Sequence, residues 1–140
     1  MRDDTSNEKE LQGLFDGAPV NRLLGLRLVE TGCDEARLAL APRGEFVQEG
    51  GRVHGGVLTT LADSSAVYAL LPGLPDGKSM TSVEFKLNFL RPVQIGGADI
   101  EAHARVVQRG RRVALCDVEL SQGGKALAKG LFTYLIFEEG

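Results

Sequence analysis

Four residues in one stretch have the types and spacing to do chemistry together. Residues 50–71 read GGRVHGGVLTTLADSSAVYALL, and within them stand His54, Gly55, Gly56 and Asp63. Asp63 is a lone carboxylate in a run that is otherwise small or apolar, with Val57, Leu58, Leu61, Ala62, Ala66 and Val67 around it. A carboxylate buried without a partner is costly. It is either a structural Asp held by a hydroxyl or a backbone N–H, or a catalytic carboxylate tuned by its surroundings. The helix alone leaves both readings open. The glycines suggest where the rest of a site would lie. The first N–H groups of a helix lack partners inside it and carry partial positive charge. Gly55 and Gly56 have no Cβ to keep a ligand from that backbone, so the helix start could polarise a carbonyl or hold an anion. The alternative is that they only let the helix pack closely.

The element that positions these residues is a helix starting at Gly55 or Gly56 and running to Leu71, where Pro72-Gly73 and then Pro75, Asp76 and Gly77 end it. Apolar residues fall on all its sides, which is the pattern of a buried helix. At about 100° per residue, Asp63 shares a face with Gly56, Thr59, Thr60, Ala66, Val67 and Leu70.

The remaining chain supplies a sheet. Residues 1–6 read as a charged tail, with Thr5 and Glu8 spaced as a capping box. A short amphipathic helix over 7–16 carries Leu11, Leu14 and Phe15, and Val20, Leu23 and Leu24 could form a further turn docking on the core. Residues 26–30 and 36–40 alternate as a hairpin around 31–34. A loop over 45–52 brings Gln48 within reach of the helix start. Strands are expected over 82–90, 98–108, 113–120 and 126–137, antiparallel because their links are short. In the first, Val83, Phe85, Leu87 and Phe89 alternate with Ser82, Glu84, Lys86 and Asn88. The last is apolar on both faces, as a central or interface strand is. The expected fold is α+β: one antiparallel sheet wrapped around one helix. Residues 1–17 form the tail and short helix, and 18–140 a single domain. Burying every side of the helix in 140 residues requires a cover, and a second copy of the chain supplies one, so an obligate homodimer or a larger assembly of dimers is expected.

Composition narrows the function classes. A net charge of −3 argues against broad binding of nucleic acid or an anionic membrane. The N-terminus MRDDTSNEKE lacks the form of a signal peptide, and no apolar run is long enough to cross a bilayer. Cys33 and Cys116 fit reduced thiols in a cytoplasmic protein. Neither they nor His54 and His103 have metal-ligand spacing, so no metal site is expected. No phosphate-binding or dinucleotide fingerprint is present.

The order of elements, with HGG opening the helix, resembles the hotdog fold, and within it the thioesterases of the phenylacetic-acid-degradation type (PaaI-like). Their typical run V-H-G-G-x-x-x-x-L-x-D stands here as Val53-His54-Gly55-Gly56-Val57-Leu58-Thr59-Thr60-Leu61-Ala62-Asp63, and their later strand ending in Pro as Phe89-Leu90-Arg91-Pro92. The resemblance covers about residues 18–137. It implies hydrolysis of acyl-coenzyme A thioesters by dimers or tetramers, with no cofactor beyond the coenzyme A of the substrate. It implies that the Gly55 N–H holds the thioester carbonyl and that Asp63 is nucleophile or general base. Gln48 then helps place the nucleophile, and Ser82, or its neighbour Thr81, assists the water. His54 is structural or orienting.

Spacing bears on that mechanism independently. Gly55 and Asp63 are eight residues apart, so on one helix they are separated by roughly 12 Å. A reacting carbonyl must lie within about 3–3.5 Å of both donor and nucleophile. One helix cannot supply both, whereas two antiparallel helices about a two-fold axis would make two shared sites. Arg91, Arg109, Arg111 and Arg112 are candidates for the phosphates of coenzyme A. Val67 and Tyr68, with the segment 18–24, are candidates for the acyl pocket. Two further readings are a hotdog dehydratase, which would rely on a catalytic His, and a non-catalytic acyl-coenzyme A binding module, which Asp63 counts against.

Overall fold

The computed structural model describes residues 4–140, with side chains described from residue 7. In chain order the elements are α1 (Asp4–Gly17), α2 (Pro19–Leu24), β1 (Arg27–Gly32), β2 (Glu35–Leu40), α3 (Gly55–Leu70), β3 (Lys78–Phe89), β4 (Ile100–Arg109), β5 (Val113–Gln122) and β6 (Lys125–Glu138). Short 3₁₀ turns stand at Gly44–Phe46 and Leu71–Gly73. The strands form one antiparallel sheet in the order β1-β2-β4-β5-β6-β3. α3 lies across β2, β4 and β5, with Leu58, Leu61, Ala62, Ala66, Ala69 and Leu70 buried against them. This is the α+β hotdog arrangement: an antiparallel sheet wrapped around a long central helix.

The ends of α3 are fixed by specific groups. His54 is its N-cap, accepting the Gly56 N–H on Nδ1 at 2.8 Å. At the other end Arg109 of β4 donates to the Leu70 carbonyl at 3.2 Å and pairs with Asp34 at 2.8 Å. A cation at that end also suits the helix dipole. Arg109 is therefore bound up in the fold rather than free to meet a phosphate.

The N-terminal region differs from its sequence reading. Residues 4–6, expected as tail, are already helical; the rest of the tail and the Thr5 side chain of the capping box lie outside the described residues. α1 seats Phe15 on Tyr68 of α3, ring centroids 5.0 Å apart. In α2 the expected docking residues Val20 and Leu23 face solvent. The contact is made by Leu24 and by the buried Asn21, whose amide donates to the Phe15 carbonyl at 3.0 Å. The i+4 partner of that carbonyl would be Pro19, which has no N–H, so the backbone offers it only the Ala18 N–H at 3.3 Å and the Asn21 amide adds a second bond.

β3 begins four residues earlier than expected, and it carries a β-bulge between Ser82 and Glu84. Strict alternation would set Ser82 on the face opposite Phe85. The extra residue, Val83, changes that parity. Ser82 pairs with Tyr134 and Phe85 with Phe132, and both partners point to the helix side of β6. Ser82 thus faces α3 together with Phe85, Leu87 and Phe89. β3 is also a sheet edge, and Val83, Phe85 and Phe89 along it are exposed. No described helix is long and apolar enough to cross a membrane.

Candidate active site

α3 presents two kinds of surface. One side is buried under the sheet. The other carries Gly56, Thr59, Thr60, Asp63, Ser64 and Val67, none of them fully covered. Ala66 and Leu70, expected on the Asp63 face, belong to the buried side. Thr59 and Thr60 donate back to the carbonyls of Gly55 and Gly56 at 2.8 and 2.9 Å, so their hydroxyls are occupied within the helix. Asp63 is the group on this stripe with carboxylate chemistry to offer.

Asp63 has a partner. The Tyr134 hydroxyl on β6 donates a short hydrogen bond to its Oδ1 and lies 3.2 Å from its backbone carbonyl. Tyr134 is 1% exposed. Burial pushes its phenol well above the usual tyrosine range, and the Asp63 carboxylate pushes it the same way. The phenol therefore keeps its proton and remains a donor, which fixes the Asp63 side chain and leaves Oδ2 to act. Sequence reasoning passed over Tyr134. The available signal was its hydroxyl in the inward row Phe132, Tyr134, Ile136, because a buried tyrosine hydroxyl requires an acceptor.

Around Asp63 lies a cavity of about 440 Å³. Ser82, Thr81, Val67 and Tyr134 line it, Leu71, Leu74 and Met80 give it apolar surface, and Lys78, Ser79 and Glu139 complete the lining. Ser82 reaches it by the bulge, whereas Thr81 pairs with Leu135 on the opposite face and meets only its rim from there. Tyr68 and the segment 18–24, expected in the acyl pocket, are not part of this lining; Tyr68 is packed on Phe15 instead.

The helix start opens into a separate cavity of about 370 Å³, lined by Gly55, Gln48, Arg91, Phe89 and Leu58 among others. It shares no lining residue with the Asp63 cavity. Among the described residues no protein group accepts from the Gly55 N–H, while the Gly56 N–H is taken by His54. A Cβ on Gly55 would sit 3.3 Å from the Phe89 ring edge, so the backbone is approached closely there. Gln48 is folded back, its Oε1 accepting the Gly50 N–H. Arg91 donates to the Ala126 carbonyl at 2.8 Å, tying this wall to the start of β6. His54 and Gly56 are at the helix cap. Arg111 and Arg112 stand in the β4–β5 turn and line neither cavity. Of the expected residues, the fold thus gathers Asp63, Ser82, Thr81 and Val67 at one place, and Gly55, Gln48 and Arg91 at another.

Comparison with known proteins agrees with the fold. The Thioesterase superfamily model matches residues 50–129, which spans α3, β3, β4, β5 and the start of β6. The chain belongs to that superfamily, a family of hotdog-fold hydrolases. It is similar to phenylacetic acid degradation protein PaaI from Thermus thermophilus, a point mutant of which has been solved: 30% identity, TM-score 0.78, covering 84% of this chain and 98% of that one. It is similar to acyl-coenzyme A thioesterase 13 of Homo sapiens, 33% identical over 59% of each chain. A thioesterase family protein from Silicibacter pomeroyi shares the fold at 24% identity, with TM-score 0.85 over 94% of this chain and 98% of that one.

Proposed function

We propose that this protein is an acyl-coenzyme A thioesterase of the phenylacetic-acid-degradation type, hydrolysing a thioester to a free acid and coenzyme A. The observation that carries the reading is Asp63, a carboxylate fixed by a buried phenol and lining a cavity beside Ser82. The names of the similar proteins, one of them an acyl-coenzyme A thioesterase, support the substrate class.

In this reading the thioester carbonyl accepts the Gly55 N–H, whose alignment with the α3 dipole stabilises the oxyanion as it forms. Asp63 Oδ2 attacks the carbonyl carbon, or takes a proton from a water that does. The thiolate of coenzyme A leaves, and water supplies the second oxygen of the acid. Ser82 orients that water, and Gln48, beside the Gly55 cavity, helps place the nucleophile or water. Arg91, beside the Gly55 cavity, meets a phosphate of coenzyme A, with Arg111 and Arg112 more distant candidates. Because Gly55 and Asp63 open into different cavities, each site combines Gly55 of one subunit with Asp63 of the other, in a homodimer that pairs further into tetramers.

Thiol release should be followed over aryl and straight-chain acyl-coenzyme A esters. The wild-type protein should turn over at least one group of them. Asp63→Asn should still bind the ester and release thiol about 10²- to 10⁴-fold more slowly. Undiminished turnover by Asp63→Asn would falsify the mechanism, and binding without turnover by the wild type would make the protein an acyl-coenzyme A binding module.

A further inference from the structure

The Asp63 cavity ends at the turn after α3, and a second cavity begins on the other side of that turn. This second space is a groove of about 440 Å³ between α1 and the turn, with Leu11 and Leu14 of α1 on one side and Leu71, Pro72 and Leu74 on the other. Leu71 and Leu74 line both cavities. They are the partition between them. Both are only half-buried and pack on the core from its edge. Asn7, Glu10 and Asp76 also line the groove, so an uncharged hydrocarbon tail would run along its leucines and proline, whereas an anionic one would meet two carboxylates.

The backbone of the partition is anchored independently of its side chains. The Leu74 N–H donates to the Leu71 carbonyl at 3.1 Å. Arg109 holds the Leu70 carbonyl from behind, and a Cβ on Gly73 would lie 2.9 Å from the Arg109 guanidinium. Shortening Leu71 or Leu74 should therefore open a passage rather than move the turn.

From this we infer that Leu71 and Leu74 set the acyl-chain length the protein accepts. The acyl chain runs from the carbonyl at Asp63 past Val67 and Met80 and is stopped at this pair. The α1 groove is the continuation that the pair closes off. The inference rests on the thioesterase reading for its substrate class.

The test uses straight-chain alkyl-coenzyme A thioethers, which cannot be hydrolysed, with affinity measured by calorimetry. In the wild type, affinity should rise by about fourfold per methylene and then level off at the length where the tail meets the partition. In Leu74→Ala and in Leu71→Ala the plateau should move to longer chains. Two further buried methylenes would give a gain on the order of tenfold for the longer thioethers. Leu14 is 57% exposed, so Leu74→Ala combined with Leu14→Asp should fold as well as Leu74→Ala alone, and the charge in the groove should erase the gain. A plateau that stays at the wild-type length in both folded alanine variants overturns the inference, as does a gain that survives Leu14→Asp. Thiol release from the matching esters reports separately on the thioesterase reading, because the thioether profile can shift whether or not turnover occurs.

Discussion

Asp63, the nucleophile or base of the proposed reaction, is held by another side chain. Its Oδ1 is committed to Tyr134, and Oδ2 is the oxygen left to face the cavity. The Tyr134 hydroxyl is committed to Asp63, so in the proposed reaction Tyr134 acts through that carboxylate as a positioning residue. Tyr134→Phe keeps the ring that fills the core and removes the hydrogen bond alone. We expect kcat to fall about ten- to hundredfold, the scale of losing alignment between a nucleophile and its target, while KM stays near the wild-type value. Equal losses in both constants, or none, would show that Asp63 is held well enough without it. The same phenol gives a pH expectation. Its ionisation is displaced upward by burial and by Asp63, so kcat should show no falling limb at the ordinary tyrosine range near pH 10.

At the scale of elements, α3 was legible because its signals are local: an apolar run, glycines and a histidine at one end, Pro72-Gly73 at the other. The strands were legible in number and order along the chain for the same reason. The position of Ser82 was not. Alternation alone assigns it to the wrong face, and the bulge at Val83 that corrects this depends on which residues of β6 stand opposite. Resemblance to a family pointed at Ser82 where periodicity pointed away. Tyr134 was hidden likewise, since only tertiary packing brings the inward face of β6 onto Asp63. The contact between β5 and α3 carries its own prediction. Cys116 of β5 is fully buried, its Sγ 3.9 Å from the Ala66 carbonyl, and burial pushes its thiol from 9.0 up to about 12. The raised value sets the sign: the stabilisation is complete below pH 9, where both folded and unfolded chains hold the proton. It declines between 9 and about 12, where only the folded chain does. Stability should therefore fall above pH 9 with a slope approaching 1.4 kcal/mol per pH unit from this group. Urea titrations at pH 8, 9 and 10 should show a flatter decline in Cys116→Ala than in the wild type, the Tyr134 contribution that sets in near pH 10 being common to both. Parallel declines in the two proteins would count against the burial argument.

At the scale of the whole molecule, three features of one chain are incomplete. The Asp63 side of α3 is only partly covered, the β3 edge exposes Val83, Phe85 and Phe89, and Gly55 and Asp63 open into different cavities. A two-fold pairing of chains would complete all three, because a self-complementary surface brings each subunit's Gly55 to the other's Asp63. This makes a prediction about mixtures. Asp63→Asn alone lacks the carboxylate in both of its sites. Gly55→Val alone has both oxyanion positions obstructed, since a side chain there runs into the Phe89 ring. Each variant should be close to inactive. In a mixed dimer, Gly55 of the first variant meets Asp63 of the second, and one site is intact while the other carries both defects. With random pairing about half the dimers are mixed and each has one working site, so co-refolded or co-expressed variants should recover roughly a quarter of wild-type thiol release. Sites contained within single chains would give no recovery at any mixing ratio, and the shared-site arrangement would then have to be abandoned even if the protein is a dimer.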